Sequence, residues 1–248
     1  MNALVVGAGE MGRWFGAVLQ DDPDLAVDLA VTDADPAVAE EAADALAARA
    51  VSLETDERFD LVCVAVPIPV TRDVIAEFAD NATAAVADLA GYMAGPLAAM
   101  AEHAPECERI SLHPLFAAAN APGNVAAVVE NGGEIAAAVR SALVARSNRW
   151  VETDAPTHDK AMETVQASAH AAVLAFALAA REVPEAFHTP ISAGLFDLVE
   201  TVTGNDPRVY ADIQETFEGA EAVADAAGRL ADADREQFVE LYREASDE

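Results

Sequence analysis

The sequence predicts an α/β protein: a doubly wound parallel-sheet domain followed by an all-helical domain. Three observations carry this. The apolar run Ala3-Leu4-Val5-Val6 leads into a glycine-rich turn and then a helix-like stretch. Strand and helix signals alternate from there to Trp150-Val151, as a doubly wound sheet requires. After Pro156 the strand signals stop and helical patterning takes over. The boundary falls at residue 154, which divides the chain into residues 1–154 and 155–248.

The first strand, residues 3–6, ends in Gly7-Ala8-Gly9-Glu10-Met11-Gly12, a G-x-G-x-x-G. Residues 13–19 read as a helix, and a second apolar run, 27–31, leads to Asp33. An acid about twenty residues beyond the last glycine completes a Rossmann-like dinucleotide-binding unit. Gly7 permits the tight turn, Gly9 lets the backbone approach a pyrophosphate, and Gly12 lets helix and strand pack closely. Glu10 and Met11 open the helix, whose unpaired N–H groups and positive dipole end suit phosphates. Asp33 is placed to accept hydrogen bonds from the adenosine ribose hydroxyls. Ala34 and Asp35 after it offer no arginine for a 2′-phosphate, so NAD is the expected cofactor.

Residues 36–50 are alanine-rich and helical, with Asp35 as N-cap, and 51–53 form a short strand. The near-continuous apolar run 59–66 is a strand buried on both faces. Val66 and Pro67 close it at its carboxyl end, where ligands bind in open α/β sheets, and both are assigned to the cofactor site. Helices follow at 70–79, 95–103 and 133–146, and strands at 84–88, 110–112, 126–129 and 150–151.

The second domain opens with a long apolar helix over 156–181, capped by Asp154 or Thr157. Its expected buried side is Met162, Val165, Ala169, Ala172, Val173 and Phe176. Further helices are expected at 194–202, 208–218 and 222–245, with Gly219 ending the second of them. The long helix is apolar over most of its circumference, so a homodimer built on this domain is expected.

Composition narrows the function. Asp and Glu number 44 against 14 Lys and Arg, a formal net charge of -30, with Lys160 the only lysine. Such a surface repels nucleic acid and anionic membranes, so neither is an expected partner. At molar salt the screening length falls to about 3 Å, and the self-repulsion largely disappears. The acids are spread along the chain, so the composition reads as adaptation to a very salty cytoplasm. No apolar run reaches membrane-spanning length and no basic-then-apolar start is present. Two cysteines, Cys63 and Cys107, give no disulfide framework. A cytoplasmic location follows as the expectation.

No H-E-x-x-H or C-x-x-C occurs, so no metal is expected; no G-x-S-x-G or G-K-[ST] occurs either. Hydride transfer to or from a small molecule is the natural chemistry of the nucleotide domain. Of the five histidines, His113 stands out in Ser111-Leu112-His113-Pro114-Leu115-Phe116. A histidine at the carboxyl end of a strand suits a base that accepts a hydroxyl proton as the hydride leaves. It also suits a loop histidine bonded to backbone. As a base it would lose activity when protonated.

Asp88-Leu89-Ala90-Gly91-Tyr92-Met93 followed by Leu112-His113-Pro114-Leu115-Phe116 resembles the prephenate dehydrogenase family. That family carries Asp-x-x-Ser-x-Lys and then His-Pro-[Met/Ile/Leu]-x-Gly. Gly9 to Phe15, Val66-Pro67-Ile68, His158-Asp159, Gln166 to His170 and Tyr210 to Ile213 are similar too. The resemblance covers nearly the whole chain, and points to a salt-adapted, haloarchaeal-type member. It implies NAD-dependent oxidative decarboxylation of prephenate to 4-hydroxyphenylpyruvate, a step of tyrosine biosynthesis. It places His113 on the catalytic histidine that bonds the ring hydroxyl, and His170 on a helical-domain histidine near the substrate. Gly91 falls on the serine that supports the catalytic histidine, Met93 on the lysine, and Ala117 on the glycine after the His-Pro segment. Thr201 falls on the arginine that holds a prephenate carboxylate. Arg181, Arg208 or a partner-subunit arginine is then the expected cation, with His170 or His188 in support. Arogenate, another small hydroxy acid, or a non-catalytic nucleotide-sensing role are the rival readings.

Overall fold

The structure is a computed structural model that describes residues 1–23 and 25–246. The chain divides into two compact units, Met1–Asp159 and Lys160–Glu248.

The first unit is built on one eight-stranded sheet. Its strands are β1 (Asn2–Val6), β2 (Asp28–Thr32), β3 (Arg49–Ala50) and β4 (Phe59–Val64). Then follow β5 (Ala82–Asp88), β6 (Glu108–Pro114), β7 (Asn124–Glu130) and β8 (Arg149–Glu152). They lie in the order β3-β2-β1-β4-β5-β6-β7-β8. Helices α1 (Glu10–Gln20), α2 (Pro36–Leu46), α3 (Thr71–Phe78), α4 (Ala94–His103) and α5 (Glu134–Ala145) connect them. On one face Phe15, Val18 and Leu19 of α1, Ala42 of α2 and Leu143 of α5 pack with Val5, Val31, Cys63 and Ile110. On the other face Ile75 and Phe78 of α3 and Met100 of α4 pack with Leu4, Val62, Val64 and Val86. Each such buried aliphatic or aromatic side chain contributes roughly 1.5–3 kcal/mol. The strands are therefore apolar on both faces, the property that made their runs readable.

The sheet is not wholly parallel. β6 and β7 pair antiparallel, with His113 opposite Ala126, and β8 follows β7 in parallel. The reason lies in the connection. A parallel return needs a crossover of a dozen or more residues, usually a helix. Residues 115–123 hold only a short 3₁₀ turn, Ala118–Asn120, so the chain must reverse.

α2 stops at Leu46, not at 50. Ala47 takes a left-handed conformation at φ 48°, and Ala48 N donates to Ala43 O at 2.8 Å. This is the glycine-type helix end made with alanine, so no residue signalled it. The short strand consequently falls at Arg49–Ala50, beside Ala30 and Val31. Asp35 caps α2 as expected, its side chain accepting from Ala37 N.

The helical stretch after residue 154 starts with α6 (Ala155–Met162), capped by Asp154, which accepts from Thr157 N at 2.8 Å. A π-helical turn, Glu163–Ser168, and then α7 (Ala169–Ala179) continue it. α8 (Pro190–Thr203), α9 (Pro207–Thr216), α10 (Ala220–Asp232) and α11 (Arg235–Glu244) complete the second unit. Four expectations need correction here. The last two helices are separate: Asp234 begins a new one through a capping box with Gln237. Gly219 ends nothing; it precedes α10, and a Cβ there would meet Ala167 Cβ and Ser168 N at 2.7 Å. On the long helix Met162 and Ala167 are buried, but Val165, Ala169 and Ala172 are exposed in the single chain. The helix Ala155–Ala179 is also long and apolar enough, by length and composition only, to cross a membrane, contrary to the reading of the sequence.

Candidate active site

β1, β4, β5 and β6 run parallel. Their carboxyl ends therefore present the turn after β1, the Ala65–Val66–Pro67 segment, the Asp88–Gly91 segment and His113 along one edge. That edge holds most of the residues singled out from sequence.

The turn after β1 is tightly specified. Gly7 has φ +98°, and a Cβ on it would lie 2.3 Å from Ala65 O and 3.0 Å from Val66 Cγ1. A Cβ at Gly12 would lie 1.9 Å from Gly7 O, so both positions admit only glycine. At Gly9 the outcome is opposite: a Cβ would meet nothing within 4 Å. The open space there lies over the start of α1, where Gly9 supplies no side-chain cap. The first N–H groups of a helix have no intrahelical partner and suit an anion. Arg13 Nε donates to Ala8 O at 2.8 Å, and its Nη1 pairs with Glu41 at 2.9 Å. Arg13, Glu10, Trp14 and Arg146 line a cavity of about 580 Å³ beside Gly9. Glu10 is exposed in the first turn, whereas Met11 packs partly against the core.

Asp33 has a double use. Its Oδ2 accepts Ala8 N and its Oδ1 accepts Asp35 N, at 2.8 and 3.0 Å. The carboxylate thus fixes the glycine turn, and each oxygen keeps a further lone pair for a ribose hydroxyl. Pro67 O and Val66 O accept the Thr71 hydroxyl, which ties the segment after β4 to the start of α3. These features fit a dinucleotide: uncapped N–H groups, room at Gly9 and a half-buried acid at the ribose position.

His113 is buried at the end of β6. Its Nδ1 lies 2.9 Å from His158 Nε2. His158 is buried too, and its Nδ1 lies 2.8 Å from Asp159 Oδ1. Asp159 in turn accepts Met93 N at 2.9 Å and Ala94 N at 3.0 Å, at the start of α4. The other nitrogen of His113, Nε2, faces Gly91: a Cβ added there would lie 3.7 Å from it. Gly91 therefore leaves open the space beside the imidazole that a larger residue would fill.

Burial, reinforced by the neighbouring His158, pushes the His113 pKa down to about 3, with Asp159 opposing. His113 is thus neutral at neutral pH. Burial raises the Asp159 carboxyl, but the hydrogen bonds from His158, Met93 N and Ala94 N outweigh it and hold the pKa below the usual value. Asp88, fully buried at the end of β5, accepts Ala90 N at 2.8 Å. Burial pushes its pKa up to about 8, against the pull of that N–H and of Ser111, its register partner in β6.

His170 belongs to the second unit. Its ring meets Tyr210 edge-on with centroids 4.7 Å apart, and burial lowers its pKa. Its Nδ1 is buried with no hydrogen-bond partner among the described residues. His188 stacks on Phe196 at 4.9 Å. Thr201 is exposed and donates its hydroxyl to Asp197 O within α8. Arg181 is exposed, and Arg208 pairs loosely with its neighbour Asp206 at 3.4 Å. Among the described residues no group of three or more metal-ligating side chains occurs.

Reading the sequence passed over His158 and Asp159 as chemical partners of His113. The one local signal is the His-Asp dipeptide in the first turns of a helix capped by Asp154.

Comparisons with known proteins bear on the family and the fold. The profile of the family described as "Prephenate dehydrogenase, nucleotide-binding domain" matches residues 22–131. A 4-amino-4-deoxyprephenate dehydrogenase of Streptomyces pristinaespiralis is 31% identical over 75% of this chain and 69% of its own. A probable arogenate/prephenate dehydrogenase of Methanocaldococcus jannaschii is 25% identical over 98% of this chain, which spans 60% of that protein's length. The fold matches the crystal structure of prephenate dehydrogenase from A. aeolicus, solved with hydroxyphenyl propionate and NAD+. That match has a TM-score of 0.75 at 17% identity and covers 100% of this chain and 92% of the other.

Proposed function

The chain belongs to the prephenate dehydrogenase family, and from that premise we propose that it is an NAD-dependent dehydrogenase converting prephenate to 4-hydroxyphenylpyruvate. The observation that carries the reading is the shared sheet edge. The glycine turn with Asp33 and the buried, neutral His113 lie at the carboxyl ends of strands in one parallel array. A nucleotide domain with a base on the same edge is what hydride removal from an alcohol needs.

NAD, when bound, supplies the hydride acceptor. Gly7, Gly9 and Gly12 shape its pyrophosphate cradle, Asp33 holds the ribose, and Val66 and Pro67 bound the cofactor on the β4 side. His113 Nε2 accepts the proton of the ring hydroxyl. Loss of the ring carboxylate as carbon dioxide leaves its electron pair in an aromatic ring. That aromatisation supplies the driving force, so orienting the substrate and holding one proton are the protein's main tasks.

Gly91 stands where the family has a serine, and His158 is the partner that steadies His113. His170, against Tyr210, is the substrate-side group in the second unit. The two named relatives bring two rival substrates, arogenate and 4-amino-4-deoxyprephenate.

The test is NADH formation in molar potassium chloride with each of the three acids and with NAD or NADP. The highest kcat/KM is expected with prephenate and NAD. Equal use of NADP would remove the role given to Asp33, because a carboxylate at the ribose repels a 2′-phosphate. His113→Asn should lower kcat by roughly 10²–10⁴-fold while leaving NAD affinity nearly intact. Near wild-type kcat in that variant would end the assignment of His113.

A further inference from the structure

The reading of His113 as a base leaves open where its proton goes. Burial disfavours a charged imidazole at His113. We propose that Asp159 and His158 form a relay that fixes the tautomer of His113 and takes the proton from it. This rests on the dehydrogenase reading for its substrate, but its geometry stands apart from that reading.

The tautomers follow from the acceptors. A carboxylate only accepts, and Asp159 Oδ1 is 2.8 Å from His158 Nδ1, so that nitrogen carries a hydrogen. Neutral His158 then presents a lone pair at Nε2. His113 Nδ1, 2.9 Å away, must donate to it. The hydrogen of neutral His113 is therefore on Nδ1 and the lone pair on Nε2, the nitrogen facing Gly91. Asp159 is itself held in place, because Met93 N and Ala94 N bind its two oxygens. Those two N–H groups begin α4, whose positive end favours the carboxylate.

The proton balance closes. As the hydride leaves the ring carbon, the hydroxyl proton moves to Nε2 of His113. The Nδ1 proton of His113 moves in the same step to Nε2 of His158. The positive charge then rests on His158, in direct hydrogen bond with the Asp159 carboxylate, and His113 ends neutral as the other tautomer. When the carbon–carboxylate bond breaks, its electron pair enters the ring and the phenolic oxygen takes the proton back by the reverse path. No net proton is gained or lost by the protein. A buried cation is tolerated where a hydrogen-bonded partner of opposite charge faces it, and Asp159 is that partner for His158. His158 and Asp159 are positioning residues in this scheme, acting through His113.

The first measurement needs no substrate. Nitrogen-15 NMR of histidine-labelled protein in molar potassium chloride reports which ring nitrogen of each histidine is protonated. Hydrogens on Nδ1 of both His113 and His158 are expected; a hydrogen on Nε2 of His113 overturns the proposal. In His158→Gln the His113 signals should change to the other tautomer or a mixture. The same variant should lose at least about tenfold in kcat with KM and NAD affinity nearly unchanged, since a wrongly set tautomer removes the base without removing binding. Asp159→Glu, which keeps the carboxylate, should recover more kcat than Asp159→Asn. Unchanged kcat in His158→Gln overturns the relay. Absence of NADH formation from all three ring acids instead ends the dehydrogenase reading, and the wild-type NMR result then decides the relay alone.

Discussion

Asp88 shows how far one buried group departs from its free chemistry. It sits at the end of β5 with no exposure, and burial pushes its pKa from 3.8 to about 8, with the Asp159 charge a smaller raising influence. The folded-state pKa lies above the unfolded one, so the folded protein holds this proton more tightly. The stabilisation is complete below about pH 4 and is lost as the pH rises through 8. Asp88→Asn keeps an oxygen for Ala90 N and removes the titration. Melts at constant molar salt should show the wild type losing stability relative to the variant between pH 4 and pH 8. A difference that stays constant across that range would contradict a buried neutral acid. Residues of this kind divide by how local their signal is. Gly7, Gly9, Gly12 and Asp33 were legible because a phosphate-binding turn needs them at fixed spacing. His113 was legible because Pro114 and the strand end mark it. Its pairing with His158 was not, because it joins positions 45 residues apart, and no pattern of residue types records which helix returns to which strand.

At the scale of elements, apolar runs located the strands because both sheet faces are covered. What runs did not give was direction and termination. The antiparallel turn into β7 was readable in principle from the absence of a crossover helix in residues 115–123, and the alternation rule overrode it. The end of α2 at Ala47 had no signal at all. The π-helical turn is likewise set by tertiary partners: Ser168 donates to Gly219 O at 3.3 Å, and Gln214 Nε2 donates to Ala167 O at 2.8 Å. Gly219 packs directly on this turn. A Cβ there would lie 2.7 Å from Ser168 N and 2.8 Å from Glu163 O, backbone atoms that have no easy way to yield. Gly219→Ala should therefore destabilise by about 1–3 kcal/mol, the usual range for overpacking. Gly228, inside α10, offers the opposite case, since a Cβ there meets nothing within 4 Å. Gly228→Ala should stabilise by roughly 0.5–1 kcal/mol through helix propensity and a less flexible unfolded chain. Denaturant midpoints of the two variants test the pair, and a Gly219→Ala protein as stable as wild type would mean that α10 shifts freely on the π-helical turn.

For the whole molecule, two properties pull against each other. The net charge of -30 favours separation of chains. The second unit carries large apolar side chains in the open, including Leu178, Phe187 and Ile191. Its long apolar helix is only 11% buried over the stretch apolar enough to span a membrane. The start of that helix cannot leave the first unit without losing the hydrogen bonds of His158 and Asp159. An apolar helix left this open must be covered by something. We take the cover to be a second copy of the chain, because a symmetric pairing of two such faces buries both at once. Hydrophobic burial acts at contact and is strengthened by salting-out ions, whereas repulsion between carboxylates extends about 10 Å at 0.1 M salt and about 3 Å at 1 M. The balance therefore turns with ionic strength. In molar potassium chloride light scattering should give about twice the chain mass, with Tm rising steeply along the salt series. At tens of millimolar the dimer should dissociate and the melt should move to lower temperature, dependent on protein concentration near the transition. A monomer at every salt concentration would refute the pairing and would remove partner arginines from the candidates for holding the substrate carboxylates. A Tm indifferent to salt would show instead that the acidic surface does not govern stability.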